Sequence, residues 1–139
     1  MKLHYKVPGD DFTRAGEASG EVKRKLKRLG FDSDVVRRMT ISIYEAEINM
    51  AIHAGGGVVD VEIMPDRITA ILTDDGPGIP DLDKAMQEGW STAPDNIRSL
   101  GFGAGMGLPN IKKYTDILEI DTVVGKGTTL TMAVLIKPE

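Results

Sequence analysis

The 139-residue chain has no cysteine, only two histidines and a single tryptophan. The lack of cysteine excludes disulfides, thiol catalysis and a cysteine-based zinc site. His4 and His53 are too few for a histidine-rich metal centre. No apolar run reaches the roughly 18 residues that a membrane-spanning helix needs. The opening Met1-Lys2-Leu3-His4 lacks the apolar core of a signal peptide, so a cytoplasmic protein without membrane contact is expected. An excess of positive charge is missing too. Seventeen basic against 21 acidic residues leave a net charge of −4, which argues against direct nucleic-acid binding. What remains is ordinary globular material, 41% hydrophobic and 27% charged, and long enough for one domain over residues 1–139 with a real core.

Periodicity divides the chain. Residues 2–7 alternate and predict a short edge strand. A helix over about 11–29 follows, capped by Asp10 or Asp11, carrying Lys23-Arg24-Lys25-Leu26-Lys27-Arg28 and stopped by Gly30. Asp32 or Ser33 caps a longer helix whose apolar stripe is Val35, Val36, Met39, Ile43, Ala46 and Met50. Gly55-Gly56-Gly57 ends it. Strands near 58–64 and 67–73 are joined by Pro65-Asp66, with Val59, Val61, Ile63, Ile68, Ala70 and Leu72 sharing one apolar face. A short helix near 81–88 precedes a long glycine-rich loop over 89–107, of the kind that usually carries function. Met106 to Tyr114 reads as helix, and strands near 116–124 and 128–136 flank Gly125-Lys126-Gly127. The fold expected is α+β, a two-layer α/β sandwich with a mixed, mostly antiparallel sheet covered on one face by helices.

The chemistry gathers on the long helix. Glu45 and Asn49 stand four apart and share a face, a carboxylate beside a side-chain amide. A carboxylate can take a proton, and an amide oxygen is a hard ligand suited to Mg²⁺. Glu47 points about 200° away from Glu45 and is expected on the surface. His53 lies near the Asn49 face, where a satisfied helix-end histidine is the simpler reading. Familiar nucleotide motifs fail. Gly125-Lys126 is followed by Gly127 rather than Ser or Thr, which rules out a Walker A loop. A dinucleotide fingerprint read from Gly101 meets Met106, and from Gly103 it meets Leu108.

Four boxes in order remain: Glu45-x-x-x-Asn49, Asp74-x-Gly76-x-Gly78, Gly103-x-Gly105-x-Gly107 and Gly125-x-Gly127-Thr128. In these the chain resembles the Bergerat-fold ATPases shared by gyrase, MutL, heat-shock chaperones and histidine kinases. Within that group it resembles the anti-sigma factor serine/threonine kinases and related switch kinases, over roughly residues 8–136. The resemblance implies a histidine-kinase-like ATPase fold that binds ATP or ADP with Mg²⁺. It makes Glu45 the catalytic base and Asn49 the metal ligand. It also implies nucleotide contacts from Asn49, Asp74, Gly76, Gly78, Ile79, Arg98, Gly101, Gly103, Ala104, Gly105, Met106, Gly107, Leu108 and Thr128. Asp74 would accept the adenine amino group, and the Gly101–Gly107 amides would face phosphate where a helix begins. Arg98 is either a γ-phosphate contact or a solvated lid residue, and Thr128 serves either phosphate or the Asp74 network.

The resemblance also orders the functions. A self-contained histidine kinase needs a phosphoacceptor hairpin, yet the lone histidine before Glu45 is His4, in an expected strand. Gyrase-like and MutL-like enzymes need a transducer domain beyond Glu139. The expectation is therefore a kinase that phosphorylates a small anti-sigma-factor antagonist and regulates a sigma factor or other stress-signalling partner. The alternatives are a non-catalytic, nucleotide-gated anti-sigma or scaffold-binding protein, and a plain ATPase. Relatives often form homodimers.

Overall fold

The computed structural model describes residues 1–9, 14–79, 86 and 107–137. Five strands form one sheet: β1 (Lys2–Pro8), β2 (Gly56–Ile63), β3 (Arg67–Asp74), β4 (Ile117–Val123) and β5 (Gly127–Leu135). Their spatial order is β1-β2-β3-β5-β4, and all four pairings are antiparallel. Three helices stand among the described residues: α1 (Glu17–Arg28), α2 (Ser33–His53) and α3 (Gly107–Tyr114).

Alternation decides which sheet face is covered. Val59 pairs with Leu72, Val61 with Ala70, and Ile63 with Ile68, so the apolar residues of β2 and β3 project together. Leu130, Met132 and Val134 of β5 extend that face. Against it lie Val22 and Leu26 of α1, Met39, Ile43, Ala46 and Met50 of α2, and Ile111 of α3. Each of the Val, Leu, Ile and Met side chains contributes about 1.5–3 kcal/mol on leaving water. The stripe of α2 is therefore buried as its spacing requires.

Two expectations change at the helix starts. α1 begins at Glu17 rather than near 11, and its cap is Gly16 in the left-handed region (φ 101°). Asp10 and Asp11, the expected caps, lie outside the described residues. The second change is Glu47, which is not on the surface but 1% exposed. Its carboxylate accepts the backbone N–H groups of Gly16 (3.1 Å), Ala18 (3.2 Å) and Ser19 (2.8 Å). The first turn of α1 thus receives its acceptors from α2, not from its own sequence. Three charge-assisted hydrogen bonds offset the cost of burying this carboxylate. Pointing away from Glu45 sends the side chain under α1 rather than into solvent.

The glycine run after α2 does two jobs. α2 ends at His53, while Gly56 and Gly57 already pair with Pro8 and Val7 in the sheet. Gly30, in the left-handed region (φ 85°), follows α1 as expected. The helix expected near 81–88 and the loop from 89 to 106 lie outside the described residues, apart from Met86, which rests against the core.

Candidate functional site

The long helix α2 is the spine of the site, and two other segments, α3 and the turn after β3, meet it along its axis. Near its middle, Asn110 of α3 donates from Nδ2 to Glu45 Oε1 at 3.4 Å. One turn further, Gly107 abuts Asn49. A Cβ on Gly107 would come within 2.6 Å of Asn49 Nδ2 and 3.0 Å of Oδ1, so a larger residue here would push the Asn49 amide out of place. Beyond the helix end, Gly76 meets Ala54, and a Cβ there would lie 2.6 Å from the Ala54 Cα. From Glu45 to Ala54 the axis advances about 13 Å at 1.5 Å per residue. Glu45, Asn49 and Gly107 therefore line one face of α2, and the Asp74–Gly76 turn packs against the end of the same helix.

The neighbour of that face, α3, runs antiparallel to α2. Gly107 lies at Asn49, Asn110 at Glu45, and the Tyr114 carbonyl accepts Arg38 Nε at 3.0 Å. Pro109 sits in the first turn of α3, where a missing N–H breaks no intrahelical bond. Leu108 and Ile111 are buried and hold the helix down. The positive dipole end of α3 thus faces Asn49, while Arg38 and the basic Lys112 and Lys113 serve its negative end. Arg38 also pairs with Asp116 at 3.1 Å. The Leu135 N–H donates to the other Asp116 oxygen at 2.7 Å. That amide, with Arg38, holds the Asp116 carboxyl below its ordinary range.

Asp74 ends β3 in register with Thr128 of β5. Its Oδ1 accepts the Gly76 N–H at 2.9 Å, which closes the turn on itself. The chain after Gly76 is tied to the β4–β5 hairpin. Gly125 N–H donates to the Pro77 carbonyl at 2.8 Å, and Ile79 N–H donates to Thr122 Oγ1 at 2.8 Å. Thr122 in turn shares a 2.9 Å hydrogen bond with the buried Thr128 hydroxyl. Thr128 therefore acts on the segment of Gly78 and Ile79 through Thr122.

The structure brings together Glu45, Asn49, Gly107 and Leu108 on one side, and Asp74, Gly76, Gly78, Ile79 and Thr128 on the other. Arg98, Gly101, Gly103, Ala104, Gly105 and Met106 lie outside the described residues, as does the side chain of His53. Sequence reasoning missed Asn110, Thr122 and Arg38. Asn110 had a weak signal, since it falls three residues after Gly107 on one helix face. Thr122 sits in an unremarkable strand and had none.

The donor set suits a nucleotide bound with Mg²⁺. An amide and a carboxylate supply hard oxygens, and a helix start beside the amide favours phosphate. A single sheet covered on one face by helices, with a short helix on the polar pair of the long helix and a strand-end turn at its end, defines the class: an α+β ATPase-type domain. The chain belongs to the histidine kinase-like ATPase domain family, whose pattern matches residues 10–134. It is 36% identical over 108 residues to the serine/threonine-protein kinase RsbT of Bacillus subtilis, covering 75% of each chain. It is 33% identical to the anti-sigma F factor of Clostridium acetobutylicum, covering 95% of this chain and 89% of that one. Among solved structures, the RsbU and RsbW domains of a Mycobacterium tuberculosis protein share the fold, with a TM-score of 0.67 at 18% identity. The match covers 99% of this chain and 33% of that larger one. The mycobacterial sensor histidine kinase MprB shares it with a TM-score of 0.55 at 20% identity, each chain fully covered. No described helix is long and apolar enough to cross a membrane.

Proposed function

We propose that this chain is a protein serine/threonine kinase that transfers the terminal phosphoryl group of ATP to a small antagonist of an anti-sigma factor. The observation that carries this reading is the Glu45–Asn49 pair, each member met by a residue of α3. Glu45 accepts the proton of the substrate's serine or threonine hydroxyl while the hydroxyl oxygen bonds to the terminal phosphorus and the bond to ADP breaks. Asn110 holds one Glu45 oxygen and leaves the other for that hydroxyl. Asn49 offers its amide oxygen to Mg²⁺, which when bound neutralises phosphate charge. The start of α3 and Gly107 receive phosphate oxygens, and Asp74 receives the adenine amino group. Thr128, through Thr122, keeps Gly78 and Ile79 in place beside the base. The likeness to a serine/threonine-protein kinase supports the transfer step.

The likeness to anti-sigma F factors supports a second reading, in which ATP or ADP gates the grip on a sigma factor or scaffold protein without transfer. One experiment separates the two. The protein is incubated with Mg²⁺, γ-labelled ATP and the candidate antagonist encoded beside it. Label on a serine or threonine of the antagonist supports the kinase. ATP binding by calorimetry without any label favours the gated binder, and phosphate release without protein label favours a plain ATPase.

A further inference from the structure

A groove opens between α1 and the first half of α2, with a cavity of about 350 Å³. Phe31, Val36 and Ile41 give it an apolar floor, and the exposed Lys23, Lys27 and Arg37 stand on its rim. Its lining includes none of Glu45, Asn49 and Asp74. Yet it leads toward them. Arg37, Ile41 and Glu45 follow at four-residue intervals on α2, so Glu45 lies about 6 Å along the axis beyond Ile41. The flanking helix α3 spans both places, with its Tyr114 ring 5.4 Å beneath the Arg37 guanidinium and Asn110 on Glu45.

Charge separates this surface from the rest. Of the seven basic side chains in residues 23–38 of a chain whose net charge is −4, Lys23, Lys27 and Arg37 line the groove, and Arg37 also pairs with Asp34 at 3.1 Å. Lys23 and Lys27 share a face of α1 at i and i+4, and neither has an ion-pair partner among the described residues. Like charges so close cost stability, and an anionic neighbour removes that cost. A phosphate backbone would satisfy the cations but leave the Phe31–Ile41 floor wet, and the acidic remainder of the chain repels it. A helix with acidic flanks and an apolar stripe satisfies both parts of the groove at once.

We propose that this groove docks an acidic amphipathic helix of the protein substrate, holding its reacting hydroxyl near Glu45. The inference rests on the kinase reading for what is docked, but not for the groove's chemistry. The test is steady-state phosphorylation of the antagonist by wild type, by Lys23→Glu/Lys27→Glu and by Arg37→Ala. The expected result is a KM for antagonist at least tenfold higher in the double variant and severalfold higher in Arg37→Ala. The kcat and the calorimetric ATP affinity stay unchanged. An unchanged KM overturns the proposal. A second arm measures fluorescence anisotropy of a labelled helical peptide built from leucine at heptad spacing and glutamate elsewhere. Salt-sensitive binding lost in the double variant supports the groove even where no antagonist is phosphorylated, an outcome that sinks only the kinase reading. No binding by wild type, or stronger competition from a single-stranded oligonucleotide, overturns the acidic-helix groove.

Discussion

Glu45 and Glu47 are the same residue type, two positions apart on α2, and the fold gives them opposite work. Glu47 turns toward α1 and is buried, with three backbone N–H groups on its two oxygens. Glu45 turns toward α3, stays partly exposed, and among the described residues has one long contact, from Asn110. A carboxylate whose acceptor sites are filled by the main chain is a structural cap. One with a single long hydrogen bond among the described residues is the one expected to do chemistry. The lesson is that hydrogen-bond saturation, rather than residue type or helix, separates the two roles.

The comparison can be broken most sharply at Glu45. Glu45→Ala is expected to lower phosphoryl transfer by about 10²–10⁴-fold, the usual span for a lost general base. Its thermal midpoint and calorimetric ATP affinity should match wild type. Full transfer by this variant would remove Glu45 from the chemistry. Glu47→Ala should behave in the opposite way. It leaves buried N–H groups of α1 without acceptors, at a cost of about 3 kcal/mol, which lowers the thermal midpoint by roughly 10 °C. A midpoint unchanged by that substitution would mean that the cap contributes nothing.

Smaller effects sharpen the picture on the α3 flank. Gly107→Ala inserts a Cβ against the Asn49 amide and is expected to weaken ATP binding by about tenfold, near 1.4 kcal/mol. Titration calorimetry reads it, and unaltered affinity would detach Asn49 and the start of α3 from the nucleotide. The smallest change expected is Asp116→Asn, about 0.5–1 kcal/mol of stability at neutral pH, since this ion pair is partly exposed. The Asp116 carboxyl is depressed by the Leu135 amide first and Arg38 after it. Its contribution is thus complete above the ordinary carboxylate range and is lost as pH falls through the depressed value. The difference in midpoint between variant and wild type should therefore close in acid, and a constant difference from pH 7 to pH 3 would contradict this.

Much of the architecture was legible because it is local. The stripe from Val35 to Met50 and the alternation of β2 and β3 each follow from one segment's own period. The pairing of Glu45 with Asn49 on one face follows from helical geometry alone. Legibility failed where the deciding neighbour is far away in sequence. The start of α1 depends on Glu47, some thirty residues on, so no cap signal near residue 11 located it. Thr122 is chosen by its register with Thr128 and by the return of the chain at Ile79.

The sequence by itself determined the periods of the elements, the glycines at which backbones approach closely, and the two polar residues that share a face of α2. Only the tertiary structure decided that Asn110 reaches Glu45, that Gly107 meets Asn49, and that Glu47 closes α1 rather than facing water. A helix's period states which residues share a side, but what covers each side depends on how separate elements pack, and that packing assigns each carboxylate its partners.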